Sequence, residues 1–70
     1  MDFFGRLIKD ERIGARMTEE TLAKELGITV DDLILYESGD KSATLPILMR
    51  ASVVFGRPIG YFLQGVVYKK

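Results

Sequence analysis

Residues 18–38, TEETLAKELGITVDDLILYES, limit the folds open to this chain more than any other stretch. Apolar side chains recur there at helical spacing on both sides of Gly27. A helix is expected to end at this glycine, because the position needs a positive φ that only Gly adopts at no steric cost. The stretch therefore predicts two short helices that meet at a tight turn. The side chains expected to hold the two helices together are Leu22, Ala23, Leu26, Leu33 and Tyr36.

Both predicted helices begin with residues that favour a helix N-terminus. Thr18 and Thr29 are good N-caps, since a threonine hydroxyl accepts a hydrogen bond from a free backbone N–H of the first turn. Asp31 and Asp32 follow Thr29, where a carboxylate meets the positive end of the helix dipole. Ile28 is expected to fill the angle between the helices. Two helices joined by a short glycine-containing turn form a helix-turn-helix.

The residues of this motif resemble those of the phage repressor and Cro-type helix-turn-helix family. The small, turn and apolar positions of that family are matched by Ala23, Gly27, Ile28, Leu33 and Tyr36. Glu37-Ser38-Gly39 resembles the family's E-x-G at the end of the recognition helix. The apolar spacing of the family's last two helices is matched by Leu45, Leu48, Ala51, Phe55, Gly56, Ile59 and Phe62. The resemblance covers roughly residues 4 to 63, nearly the whole chain.

The resemblance implies an all-α, five-helix lambda-repressor-like domain that occupies the whole chain, residues 1–70, with a short C-terminal strand or a tail. It also implies that Arg12 and Glu37 form a charged pair between the first helix and the recognition helix. Residues 66–68, Val-Val-Tyr, have high β propensity, but one short strand cannot stand alone. The tail therefore either pairs with its copy in a second subunit or ends as a loosely packed terminus.

The other helices are predicted from their caps and apolar faces. The first runs from a cap at Asp2 to about Ala15, unless Gly14 ends it earlier. The fourth begins at a cap on Thr44 and ends at Gly56, and a short fifth helix covers about residues 59–63. The residues expected to face the core are Phe4, Leu7, Ile8 and Ala15 in the first helix, and Leu45, Leu48, Met49, Ser52 and Phe55 in the fourth.

The composition argues against several kinds of active site. The chain has no Cys and no His, which removes disulfides, thiolate metal sites and catalysis by His. Nothing sets two carboxylates in a pocket with differing environments, so we predict no enzymatic activity and no cofactor. No apolar run approaches the roughly 18 residues of a membrane span, and no signal peptide is visible. A cytoplasmic location is therefore expected.

The charges are unevenly distributed, although ten basic and ten acidic residues give a net charge of zero. Residues 19–37 contain one Lys and six acids, residues 1–18 four bases and three acids, and residues 38–70 five bases and one acid. A nucleic-acid-binding domain usually has a basic excess. Here the helix-turn-helix itself is acidic, and the rest of the chain is basic.

In the resembling family, exposed residues near the start of the recognition helix contact base edges in the major groove. The matching residues here are Thr29, Val30, Asp31, Ile34, Leu35 and Ser38. Candidate phosphate contacts lie around the motif at Arg16, Lys41, Ser42 and Thr44, the last at a helix N-terminus. Thr18 and Glu19, which open the second helix, complete the candidate set. Double-stranded DNA and a second copy of the chain are the partners that the resemblance implies.

The recognition helix lacks the usual base-reading side chains. Arg or Lys reads guanine and Asn or Gln reads adenine, and none of these occurs in residues 29–38. Ile34 and Leu35 form an exposed apolar strip on an acidic helix unless the first helix or a second subunit covers them, and such a strip suggests a protein partner. Two functions follow. One is a phage- or plasmid-type transcriptional regulator that binds a pseudo-palindromic operator as a homodimer, and the other is a helix-turn-helix domain that binds protein.

Overall fold

The computed structural model describes residues 4–63, and this part of the chain contains five α-helices and no strand. The helices are α1 (Phe4–Gly14), α2 (Glu19–Leu26), α3 (Val30–Ser38), α4 (Leu45–Phe55) and α5 (Ile59–Leu63). The predicted all-α, five-helix fold is confirmed. The predicted cap at Asp2 and the strand or tail after residue 63 lie outside the described residues.

The turn between α2 and α3 has the caps that the sequence predicts. The Thr18 hydroxyl accepts a hydrogen bond from the backbone N–H of Thr21 at 3.1 Å, and Thr29 accepts one from Asp32 at 3.1 Å. Gly27 has a φ of 75°, in the left-handed region where a side chain would be strained. Each cap satisfies backbone groups that the helix leaves free, so local sequence fixes where these helices begin and end.

The core draws on all five helices. Phe4 lies near its centre, with its ring edge-on to Tyr36 and to Phe62 at centroid distances of 6.1 Å. Burial of each large apolar side chain contributes about 1.5–3 kcal/mol, so these contacts dominate the stability of a domain this small. The buried core residues are Phe4, Ile8, Leu22, Ala23, Leu26, Leu33, Tyr36, Ile47, Leu48, Ala51 and Phe62.

Three residues assigned to the core from the sequence are exposed. Leu45 and Met49 of α4 are 59% and 54% exposed, whereas Ile47, which was not assigned to the core, is buried. The prediction was wrong because α4 is apolar almost all round, so no polar face fixes its rotation. Ala15 is also exposed, because α1 ends at Gly14 before reaching it.

The backbones of α1 and α3 approach each other closely at Gly5. A Cβ atom built at Gly5 would overlap the carbonyl oxygen of Tyr36 and lie 3.0 Å from the Cα of Glu37. The absence of a side chain therefore lets the backbones of α1 and α3 meet. This contact between α1 and α3 was not foreseen from the sequence.

The predicted pair between Arg12 and Glu37 is confirmed, and it joins α1 to α3. Arg12 donates from Nε to one carboxylate oxygen of Glu37 at 2.8 Å and from Nη2 to the other at 3.3 Å. Arg12 Nη1 also donates to the carbonyl of Met17 at 3.1 Å. The hydrogen bond to Glu37 raises the pKa of Arg12 above its ordinary value, against the desolvation that lowers it. The two side chains are only 13% and 6% exposed.

A second ion pair, between Glu11 and Arg57, joins α1 to the loop between α4 and α5. Arg57 Nε lies 2.8 Å from Glu11 Oε2, and the hydroxyl of Tyr61 donates to the same oxygen at 3.3 Å. The guanidinium lies over the Tyr61 ring, 4.6 Å from its centroid. The hydrogen bond to Glu11 raises the pKa of Arg57. These three residues fix the C-terminal helices against α1.

Candidate nucleic-acid interface

The outer face of α3 is uncovered by the described part of the chain. Ile34 is 45% exposed and Leu35 is 40% exposed, so neither is covered by α1. Val30 differs from the expectation, because it is half-buried and packs against the core. The exposed members of the predicted base-contacting set are Thr29, Asp31, Ile34, Leu35 and Ser38.

The two ends of α3 hold their hydroxyl groups in local hydrogen bonds. Thr29 accepts the capping bond from Asp32, which leaves its O–H proton free to donate to a ligand. Ser38 Oγ lies 3.0 Å from the carbonyl of Leu35 and 3.1 Å from Asp40 Oδ2. A hydroxyl has a single proton, so Ser38 can donate to a ligand only when it gives up the hydrogen bond that it donates to Leu35 or Asp40.

Lys41 lies just beyond the C-terminus of α3, and its ammonium group faces back toward the helix. Its Nζ is 3.3 Å from Asp32 Oδ1 and 5.3 Å from the centroid of the Tyr36 ring. The ion pair is exposed, and such pairs contribute about 0–1 kcal/mol. A phosphate can therefore compete with Asp32 for the Lys41 ammonium at little cost.

Arg16 lies in the connection between α1 and α2 and has a left-handed backbone. Its φ is 57°, and it is the one non-glycine residue of the described chain with a positive φ. The left-handed conformation costs a residue with a side chain about 1–2 kcal/mol. Its N–H donates to the carbonyl of Ile13 at 3.0 Å, which closes the turn after α1, and its side chain is exposed.

The negative charge of Glu19 at the start of α2 is partly compensated by Arg12. Glu19 is half-buried, and its carboxylate lies close enough to Arg12 to help raise the pKa of that guanidinium. The hydroxyl of Thr18 accepts the capping hydrogen bond from Thr21 N–H and donates to the hydroxyl of Thr21 at 2.9 Å. The N-terminus of α2 therefore repels an approaching phosphate less than an isolated glutamate would.

The loop after α3 leads to the N-terminus of α4. Thr44 occupies the N-cap position with an extended backbone, as predicted, but its side chain makes no capping hydrogen bond. Pro46 lies in the first turn, where its missing N–H leaves no unsatisfied donor. Ser42 and Thr44 are both exposed, so their hydroxyls lie on the surface beside Lys41.

Two short helices that meet at a left-handed glycine, with the second helix exposed along its outer face, define a helix-turn-helix domain. A family model described as helix-turn-helix matches residues 8–62. The chain therefore belongs to the helix-turn-helix family of the phage repressor and Cro type. No curated protein and no solved structure is significantly similar to the chain.

The family consists of DNA-binding transcription regulators and is generally not enzymatic. Within residues 4–63, no group of three or more Asp or Glu side chains is placed to hold a metal ion. None of the five helices is long and apolar enough to cross a membrane. The exposed residues of the outer face of α3 offer hydroxyl groups, a carboxylate and apolar side chains to a ligand.

Proposed function

We propose that residues 1–70 form a single helix-turn-helix domain of a repressor-type transcriptional regulator, which binds a pseudo-palindromic operator as a homodimer. The observation that carries the proposal is the exposed outer face of α3, which follows a helix-turn-helix turn and has the exposed Lys41 beside it. In this family such a helix enters the major groove, and each subunit contacts one half-site.

Base contacts in this proposal come from short polar and apolar side chains. Asp31 accepts a hydrogen bond from a cytosine amine, and Thr29 donates to a base or a phosphate. Ile34 and Leu35 contact thymine methyl groups with side chains that are already exposed. None of these residues makes the bidentate contact that contributes about 1–3 kcal/mol of discrimination, so specificity is spread over several modest contacts.

Phosphate contacts in this proposal come from Arg16, Lys41 and the hydroxyls of Ser42 and Thr44. Only Arg16 and Lys41 of these residues are cationic, so log K is expected to fall against log salt with a slope of about −2 per subunit and about −4 per dimer. A monomer is therefore expected to bind weakly, and a dimer is needed for useful affinity. Phosphate binding by Arg16 and Lys41 also accounts for basic segments on both sides of the acidic helix-turn-helix.

Arg16 offers a test that separates DNA binding from folding. Arg16→Gly is expected to stabilise the domain by about 0.5–1 kcal/mol, because Gly accepts the left-handed backbone without strain. The same variant is expected to weaken binding to a mixed-sequence duplex, because one cationic phosphate contact is lost. Thermal melting followed by circular dichroism gives the stability, and fluorescence anisotropy of a labelled duplex at low salt gives the affinity.

Two variants serve as controls for this test. Arg16→Lys keeps the charge and the strain, so it should bind DNA within about threefold of the wild type. Arg16→Ala keeps the strain and loses the charge, so it should bind as weakly as Arg16→Gly without the gain in stability. If all three variants bind duplex DNA as tightly as the wild type, Arg16 makes no phosphate contact.

A second candidate function is binding of a protein partner through the same face. The observation that favours it is the exposed pair Ile34 and Leu35 on a helix that has two acids in its first turn and no basic residue. Such a face fits a basic amphipathic segment. This candidate is favoured if the wild type fails to retard duplex DNA at low salt and if Leu35→Asp abolishes a partner contact.

A further inference from the structure

The outer side of α4 is apolar, and the described part of the chain leaves it uncovered. Leu45, Met49 and Val53 are 59%, 54% and 80% exposed. They are spaced four residues apart, so they align along one side of the helix. The helix rises about 12 Å between Leu45 and Val53, at about 1.5 Å per residue. A contiguous exposed apolar surface on a small domain indicates an interaction site, whereas a single exposed residue does not.

A groove of about 600 Å³ opens beside this surface, between α4 and the turn that joins α2 to α3. Residues of α4 line it on one side, and the end of α2 and the turn line it on the other. It is here called the α4 groove, and its central lining residues are Leu26, Gly27, Ile28, Met49, Arg50 and Val53. The two sides therefore offer mostly apolar contact to whatever lies between them.

Arg50 places one positive charge in the α4 groove. It is the only charged side chain among the described residues that line the groove. A Cβ atom built at Gly27 would lie 3.6 Å from Arg50 Nη2, so the guanidinium lies against the turn between α2 and α3. Arg50 takes part in none of the ion pairs and side-chain hydrogen bonds of residues 4–63. A guanidinium has five N–H donors, and no described residue occupies those of Arg50.

The charge of Arg50 decides between possible occupants of the α4 groove. A phosphate backbone would pair with the guanidinium but would meet the apolar sides without any gain. The α4 helix of a second copy would offer apolar side chains but no carboxylate, because α4 contains no acidic residue. A partner that has both apolar side chains and a carboxylate satisfies the sides of the groove and Arg50 together.

The shape of this surface favours a helix over a small molecule as the occupant. A small-molecule site encloses most of its ligand, whereas the α4 groove is open and the apolar surface continues beyond it to Leu45. Apolar residues at positions i, i+4 and i+8 of an amphipathic helix also extend over about 12 Å, which matches the exposed side of α4. The flexible side chain of Met49 can adapt to the residues of such a helix.

We infer that the α4 groove binds an acidic amphipathic helix of another protein. The apolar residues of that helix pack against Met49 and Val53, and an Asp or Glu on its polar side pairs with Arg50. The described residues that line the groove come from α2, the turn and α4, so a bound helix leaves the outer face of α3 open. This site goes beyond the proposed function, because it would let the domain hold DNA and a protein partner at the same time.

Selection from a phage-displayed library tests the site with random peptides of about 16 residues, long enough for about four helical turns. The library is first depleted on Val53→Glu, which should melt like the wild type because Val53 is 80% exposed, and is then selected on the wild type. We expect enriched peptides that share apolar residues four apart and at least one Asp or Glu. A consensus peptide should bind with a dissociation constant on the order of 1–100 µM. No enrichment over Val53→Glu, or enriched peptides without an acidic residue, would overturn the inference.

Charge reversal tests the pairing of Arg50 with the acidic residue of the consensus peptide. Arg50→Gln should weaken binding about 3- to 10-fold, because the charged hydrogen bonds are lost. Arg50→Glu should bind a peptide whose acidic residue is replaced by Lys at least about tenfold more tightly than the original peptide. Ile13→Glu is the matched control, since Ile13 on α1 is 56% exposed and lies outside the groove, and it should bind like the wild type. Equal binding by Arg50→Gln and the wild type would overturn the pairing, as would lower stability of Arg50→Gln with unchanged binding.

Two further measurements distinguish the other occupants. A wild-type dimer that dissociates in sedimentation equilibrium when the consensus peptide is added would assign the α4 groove to a second copy. Decanoate that binds more tightly than the peptide, with NMR shifts at Gly27 and Met49, would assign it to a small apolar carboxylate. Either result would overturn the inference.

The outcomes for this site and for the proposed function are distinguishable. A wild type that binds the consensus peptide but does not retard duplex DNA would support the site and overturn the proposed function. A wild type that retards duplex DNA but enriches no peptide would do the reverse. If both hold, Val53→Glu should lose the peptide and bind duplex DNA like the wild type, because Val53 lies on α4, away from the candidate DNA contacts.

Discussion

Gly5→Ala is expected to leave the domain largely unfolded at room temperature. The added Cβ would overlap the carbonyl oxygen of Tyr36, which is held in the backbone of α3 and cannot rotate away. Helix α1 would have to move outward, and the edge-on contact between Phe4 and Tyr36 would open. Overpacking typically costs about 1–3 kcal/mol, and a clash with a fixed backbone carbonyl is expected to exceed that range, so the loss is comparable with the roughly 3–5 kcal/mol that a domain of this size has.

The same substitution at two other glycines provides the control. A Cβ at Gly14 or Gly60 would meet no atom within 4 Å, and both residues are helical. Gly14→Ala and Gly60→Ala should therefore match the wild type or gain up to about 1 kcal/mol from better helix propensity. Far-UV circular dichroism during heating gives the melting temperature of all three variants. A Gly5→Ala variant that melts at the same temperature as Gly60→Ala would contradict the close approach of α1 and α3.

Arg12→Ala is expected to cost about 2–4 kcal/mol of folding free energy. It leaves the Glu37 carboxylate, whose side chain is only 6% exposed, without its bidentate partner. An unpaired buried charge is far more costly than the pair is stabilising. The carbonyl of Met17 also loses its hydrogen bond from Arg12. Urea denaturation measures the loss as a shift of the midpoint with an unchanged slope.

Replacing both partners tests whether the cost comes from the unpaired charge. The double variant Arg12→Met with Glu37→Leu should recover most of the stability, since apolar residues of similar volume need no partner. Lys41→Ala is a useful comparison, because the exposed pair of Lys41 with Asp32 should cost no more than about 1 kcal/mol. If Arg12→Ala and Lys41→Ala lower the free energy of unfolding equally, the pair of Arg12 with Glu37 contributes no more to stability than an exposed ion pair does.

The features that could be predicted from the sequence are those encoded within a few residues. The turn at Gly27 and the caps at Thr18 and Thr29 depend on local backbone chemistry, and the structure has them where they were expected. The pair between Arg12 and Glu37 is distant in sequence, and it was predicted through the family resemblance rather than from spacing. The family resemblance located the helix-turn-helix in the chain, and the family model matches residues 8–62.

The features that could not be predicted depend on how distant segments meet. The rotation of α4 was assigned wrongly because almost all of its residues are apolar, so Leu45 and Met49 were placed inside. The close approach at Gly5 requires the position of Tyr36, and the pair of Glu11 with Arg57 joins residues that no local pattern links. The exposure of Leu45 and Met49 became visible only once that rotation was known.

Only part of the candidate site could be predicted, because some of its features also depend on how distant segments pack. The family resemblance placed Asp31, Ile34 and Leu35 among the exposed residues of the recognition helix, and these residues are exposed. The partial burial of Val30 and the pairing of Lys41 with Asp32 depend on packing across the ends of α3, which spacing does not describe. The left-handed backbone of Arg16 has no sequence signal, since the residue is neither Gly nor Asn.

Selection from a random duplex DNA library at low salt, followed by a gel shift of the recovered duplexes, tests the central claim most directly. We expect a recovered pseudo-palindrome whose half-sites are about 10 base pairs apart, with binding that weakens steeply as salt rises. Arg16→Ala should weaken retardation of every recovered duplex by a similar factor. Recovery of no consensus, together with no retardation of any duplex at low salt, would contradict the claim that the outer face of α3 reads DNA.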